Sequence, residues 1–250
     1  MLKLCLVGGL GRMGKAIASL AQVAGDVEIV SVWESPDAIG RGSDFDRRTG
    51  YLKNPVAVMA AGEDAVRLAD VVIDFSTAEA FAEVVKVCGA AGKPVVSGTT
   101  GVADKHDRLA ALARKVAVVA SPNMAAGVNA VFRLCDVAAR TIGPLSDVEI
   151  VEAHHRTKRD MPSGTALELG RIIGAATGRK VPTHSLRVGD VAGKHTVVFA
   201  LKGETIEITH NAESRDCLAA GALDAARFAA AARPGLYTML DVIGSGRPEV

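Results

Sequence analysis

The first half of the chain alternates short β-branched runs with alanine-rich stretches of helical spacing, and that alternation leaves few folds open. The runs fall at KLCLVG (3–8), VEIVSVW (27–33), VAVM (56–59), VVIDF (71–75), PVVSG (94–98) and VAVVAS (116–121). Between most of them lie stretches such as GKAIASLAQVAG, AEAFAEVVKVCGAAG and ADKHDRLAALARK, in which apolar residues recur at every third or fourth position, the repeat of a helix with one buried face. Strands apolar on both faces need cover on both sides, and a helix between consecutive strands lets them run parallel. The expected fold class is α/β, with a doubly wound parallel sheet.

Beyond Asn123 the pattern changes. A long helical segment, AAGVNAVFRLCDVAARTIG (125–143), leads into DVEIVEAHH (147–155), which alternates like a strand with one face in water, ending at about Ala153. A helix is expected after the PSGT turn (162–165), then strands at THSLRVG, KHTVVFAL and ETIEITH. Strands grouped late suggest a mixed or antiparallel sheet in a second, α+β domain. The last stretch, from Asp216 to Gly244, reads as helical (CLAAGALDAARFAAAA, then LYTMLDVIG) and is expected to pack back on the first domain. A chain of 250 residues can hold two modest cores, and the expected domains are 1–123 with 216–250, and 124–215.

VGGLGRMG follows the first run directly and opens the first helical stretch, fitting G-x-G-x-x-G through Gly9, Gly11 and Gly14, with Gly8 and Gly11 as a second register. Glycines at that junction let the backbone turn tightly and approach a pyrophosphate, while the helix start supplies amide donors. Glu34 stands about twenty residues further on, at the end of the second strand, where an acid binds adenosine ribose hydroxyls. Its carboxylate favours the free 2′-hydroxyl of NADH; Arg12, inside the turn, could pair the 2′-phosphate of NADPH, so both cofactors stay open. The loops SGTTG (97–101) and ASPNM (120–124) also end strands, and their small and hydroxylated residues suit a nicotinamide ring and ribose. Ordinary turns have the same composition.

Net charge is only +1, which gives no overall field for nucleic acid or an anionic membrane. Yet EAHHRTKRDMPSGTAL (152–167) gathers His154, His155, Arg156, Lys158 and Arg159 just before a Pro-Ser-Gly-Thr turn. Ser163 or Thr165 can cap the helix there, and the amides of its first turn suit a carboxylate. Clustered cations should disfavour the Lys158 ammonium and make it a better acid, with Glu152 and Asp160 opposing that shift. A solvated charged loop is the other reading of the segment.

Cys5, Cys88, Cys135 and Cys217 are far apart, without zinc or disulfide spacing, and no metal is expected. The apolar start is too short for a signal h-region and no run approaches the roughly 20 apolar residues of a membrane span. A reducing cytoplasm is the expected location.

EAHHRTKRDMPSGTA follows E-x-H-H-x-x-K-x-D-x-P-S-G-T-A and resembles the signature of the 4-hydroxy-tetrahydrodipicolinate (dihydrodipicolinate) reductases of bacterial diaminopimelate and lysine biosynthesis. GRMG, VVIDFS, GTTG, PNMAAGVN, GKHTVVFA, EITHNAESR and PGLYTMLDVIG extend the likeness over nearly the whole chain. The resemblance implies a nucleotide on Gly8, Gly9, Leu10, Gly11, Arg12 and Met13, on Glu34, on Gly98, Thr99 and Thr100, and on Ala120, Ser121, Pro122 and Asn123. It implies His154 as proton donor/acceptor, Lys158 as proton donor, and His155 with the amides of Gly164 and Thr165 as ligands of the substrate carboxylates. NADH or NADPH, a cyclic dicarboxylate substrate, a homotetramer built through the second-domain sheet, and hinges near Asn123 to Gly127 and Ser214 to Cys217 are implied with it. Met124 and Leu218 stand where many relatives carry Phe; the first would put a thioether near the nicotinamide. Other two-domain amino-acid dehydrogenases share the glycine turn without the histidine segment, and a nucleotide-sensing module would need no substrate site.

Overall fold

The computed structural model describes residues 1–39 and 56–245. The chain divides into two compact units, Met1–Met124 with Leu218–Val250, and Ala125–Cys217. The first contains β1 (Leu2–Val7), α1 (Arg12–Ala24), β2 (Val27–Trp33), α2 (Pro36–Ile39), β3 (Val58–Met59), α3 (Gly62–Arg67), β4 (Val71–Asp74), α4 (Phe81–Ala91), β5 (Val95–Ser97), α5 (Lys105–Ala113) and β6 (Ala117–Ala120). The second contains α6 (Ala126–Ile142), β7 (Asp147–His154), α7 (Gly164–Thr177), β8 (Thr183–Arg187), β9 (Gly193–Leu201) and β10 (Glu204–Ala212). Then α8 (Asp216–Ala231) returns the chain to the first unit, which β11 (Gly235–Tyr237) and α9 (Met239–Gly244) complete.

The first sheet has the order β11-β6-β5-β4-β1-β2-β3, and every pair is parallel. Its strands are buried on both faces because alternate side chains serve different cores. Leu4 and Leu6 of β1 join Ile17, Ala18 and Ala21 of α1 and the alanines of α8; Cys5 and Val7 join Phe81, Val84 and Cys88 of α4 with Leu109 and Leu112 of α5. Each fully buried leucine or phenylalanine is worth roughly 1.5–3 kcal/mol over its exposed state. The alanines of α8 pack in the core on the Leu4 and Leu6 face of the sheet. Leu236 and Tyr237, read as helical, instead form β11 beside β6. A strand of three residues shows no period, and Pro234 with Gly235 ends the preceding helix.

The second sheet has the order β10-β9-β7-β8, with β7 and β8 parallel and the other pairs antiparallel. It is mixed, as the grouping of its strands suggested. Ile150 of β7 and Val197 and Phe199 of β9 are buried on the face toward Leu169 and Ile173 of α7. The other face carries Glu149, His184, Lys194, Thr209 and Asn211, all exposed in the single chain.

Candidate active site

Val7, Trp33, Asp74, Ser97 and Ala120 end their strands in mutual register. The residues after them, Gly8, Glu34, Phe75, Gly98 and Ser121, therefore leave the sheet along one carboxyl edge, where open α/β sheets take ligands. Gly8 has φ +74, and a Cβ on it would lie 2.7 Å from the Phe75 carbonyl oxygen; a Cβ on Gly14 would lie 2.1 Å from the Gly9 oxygen. Gly11 is the N-cap of α1, and no side chain caps the amides that follow. The result is a backbone cradle over a helix start, which fits a pyrophosphate. Arg12 is exposed beside it and Met13 half-buried. Glu34 accepts a 2.7 Å hydrogen bond from the Leu10 amide, which ties the acid to the glycine turn.

The GTTG loop is held from within. Asp74, fully buried, accepts hydrogen bonds from Ser76 N (3.0 Å), Ser76 Oγ (2.6 Å), Ser97 Oγ (3.1 Å) and Thr99 Oγ1 (2.9 Å). Lys105 donates to the Ser97 and Thr99 carbonyls, and burial lowers its pKa against the pull of Asp74. The Thr99 hydroxyl thus faces Asp74, while Thr100 is exposed. In the second loop Ser121 Oγ donates to the Asn123 carbonyl at 2.7 Å, between a half-buried Ala120 and an exposed Pro122. Met124 is 1% exposed and packs into the core, so its thioether is a core group rather than a face for the nicotinamide; Leu218 is half-buried at the start of α8.

In the second unit β7 runs one residue further than expected and ends on His154, which is 8% exposed. Its Nδ1 bonds the carboxylate of Glu152, which is fully buried. Arg187 on β8 donates through Nη1 to Glu152 Oε2 (3.0 Å) and through Nη2 to Oε1 (2.8 Å). Burial alone would raise the Glu152 carboxyl, but hydrogen bonds from Arg187, Ser185 and His154 outweigh it and hold its pKa at about 2. Burial lowers the pKa of His154, Glu152 opposes the shift, and the charges of Lys158 and Arg187 add to it. With Nδ1 committed to a carboxylate, Nε2 is the nitrogen that can exchange a proton.

His195 on β9 lies edge-on to His154, with ring centroids 5.1 Å apart, and its Nε2 is 3.1 Å from Ser163 Oγ. Burial brings its pKa down to about 4. Ser163, not Thr165, caps α7, its Oγ accepting from the Ala166 amide at 3.3 Å. Gly164 is exposed at that helix start, and a Cβ there would meet nothing. Lys158 Nζ pairs with Asp160 Oδ2 at 2.8 Å, and His155 Nδ1 is 2.8 Å from Thr157 Oγ1; Arg156 and Arg159 point to solvent. Glu152, His154 and His195 present ligand atoms within 4.8 Å of one another, near enough for a cation, but Arg187 already takes both Glu152 oxygens. Sequence reasoning missed Arg187 and His195; their only signal was alternation along β8 and β9, and it needed the register with β7.

A dihydrodipicolinate reductase N-terminal model matches residues 2–124, and the C-terminal model matches residues 127–243. The chain belongs to the dihydrodipicolinate reductase family. A 4-hydroxy-tetrahydrodipicolinate reductase of Myxococcus xanthus is 42% identical over 99% of both chains, and one of Syntrophus aciditrophicus is 37% identical over 98% of this chain and 99% of its own. Among solved structures, a dipicolinate-bound dihydrodipicolinate reductase of Paenisporosarcina sp. TG-14 shares the fold, with a TM-score of 0.80 at 23% identity, over 97% of this chain and 99% of that one. The two family models together cover both units.

Proposed function

We propose that this chain, like the relatives named 4-hydroxy-tetrahydrodipicolinate reductase, acts on that substrate, reducing it to tetrahydrodipicolinate with NADH or NADPH. The 4-hydroxyl leaves as water with a proton from the adjacent ring carbon, and a hydride at C4 and a proton at that adjacent carbon then saturate the bond so formed. The dinucleotide supplies the hydride when bound; Gly8 to Met13, Glu34, Gly98 to Thr100 and Ala120 to Asn123 would hold it along the carboxyl edge of the sheet. The α7 start at Gly164 and Thr165 and the His155 side would take the substrate carboxylates.

The observation that carries this reading is the His154–Glu152 pair set beside Lys158. Glu152 fixes one imidazole nitrogen and leaves Nε2 to give or receive a proton, and Lys158 carries three N–H donors on a flexible stem. Cations around the carbon that receives the proton also stabilise negative charge there before the proton arrives. Steady-state oxidation of each cofactor by the coupled condensation product tests the assignment: substrate-dependent turnover supports it, and none with either cofactor refutes it.

The exposed face of the β10-β9-β7-β8 sheet, away from α6 and α7, is the surface we assign to a homotetramer. Three cysteines are buried and the fourth half-buried, none of them in a disulfide, in keeping with a reducing cytoplasm. Among the described residues no helix is long and apolar enough to cross a membrane.

A further inference from the structure

Arg187 lies 35 residues from Glu152 and 27 from Asp160 in sequence, yet it touches the histidine segment at both of these places. Its strand position pairs directly with His154, and the Val188 amide donates to the His154 carbonyl at 2.9 Å. The guanidinium reaches along β7 to both oxygens of Glu152, and Nη2 also donates to the Asp160 carbonyl at 2.5 Å. Glu152 in turn holds His154 Nδ1, and Asp160 holds the Lys158 ammonium. One side chain, 7% exposed, therefore anchors the carboxylate behind the imidazole and the loop residue that pairs with the lysine. The planar fork of arginine suits this, since it gives two bonds to a carboxylate in fixed geometry where a lysine would give a point charge.

We propose that Arg187 is a positioning residue of the reductase reaction, setting the imidazole of His154 and the ammonium of Lys158 at a fixed separation through Glu152 and Asp160. The inference rests on the proton-handling roles given above to those two residues. A second consequence concerns charge. The groups facing His154 are Glu152 on its own strand, Arg187 on β8, His195 on β9 and Lys158 on the following loop, with Asp160 behind Lys158. Loss of Arg187 removes a cation near the imidazole and frees the Glu152 carboxylate, so protonated His154 becomes easier to form.

The test uses Arg187→Met, Arg187→Lys and the double variant Glu152→Gln/Arg187→Met, which leaves no unpaired buried carboxylate and still offers His154 an acceptor. Arg187→Met is expected to lose turnover on the order of 10²-fold, as misplaced catalytic groups do, with the KM for NADH unchanged and the kcat pH profile displaced to higher pH. Arg187→Lys should recover part of the loss. The double variant should keep the turnover defect while unfolding like the parent, which answers the question even if the single variant fails to fold. Folded variants with parental kcat and pH profile would overturn the proposal, as would a defect confined to KM for NADH. His154→Ala and Lys158→Ala are measured alongside. If those two lose turnover while the Arg187 variants do not, the positioning role fails and the proton assignment stands; if those two turn over normally, the assignment beneath it fails.

Discussion

His195 shows how one buried side chain links the site to the pH dependence of folding. Its imidazole is 5% exposed and its pKa is pulled by burial from an ordinary 6.5 to about 4. Between those values the unfolded chain binds a proton that the folded chain does not, so stability rises with pH across that window. The contribution is fully present above about 6.5 and is lost as pH falls toward 4. Melting curves from pH 7 to pH 4 should therefore fall more steeply for the parent than for His195→Gln, by at most about 1.4 kcal/mol per pH unit for one proton. Parallel curves would show that the imidazole is not held neutral. Glu152 acts in the same direction at lower pH, since its depressed carboxyl pKa keeps its pairing with Arg187 until pH falls toward 2. Removing either partner of such a buried pair costs roughly 3–5 kcal/mol, because the other charge is left without a counter-ion.

At the scale of elements, the glycine turn and the strand-helix alternation were legible because each rests on local physics: a backbone without Cβ atoms, and strands buried on both faces. Gly8 and Gly14 have backbone atoms at distances no side chain tolerates, which is why the motif could be read without coordinates. The loops after β5 and β6 were legible only in composition. That Thr99 turns inward to Asp74 depends on the alignment of Asp74 with Ser97 across two strands, which no spacing in the sequence announces. The same holds for Arg187, whose charge in THSLR reads as a solvated strand position until β8 is placed in register with β7. The element-scale prediction concerns the GTTG loop. Thr99→Val removes one of the hydroxyls on Asp74, should cost about 1 kcal/mol in a denaturant titration, and should raise the KM for NADH more than it lowers kcat. Unchanged KM would detach that loop from the cofactor. Helical reading of Leu236 and Tyr237 failed for a related reason: partnership with β6, not local preference, makes them a strand.

For the whole molecule, the two units carry different kinds of charge chemistry. The first offers backbone amides and the half-buried acid Glu34, and the second gathers cations and imidazoles around the fully buried Glu152 carboxylate. The bare face of the four-stranded sheet is the place where assembly is expected. Sedimentation equilibrium should give about four times the 25.8 kDa chain mass, in accord with the closed symmetry usual for such oligomers; a chain that stays at its single mass at micromolar concentration would exclude the tetramer. The central claim is that His154 and Lys158 handle the proton that accompanies the hydride. Its most direct measurement is kcat for His154→Ala and Lys158→Ala beside NADH affinity from fluorescence titration. The account predicts that each variant loses turnover by about 10² or more while binding NADH as the parent does, and near-parental turnover in both would contradict it.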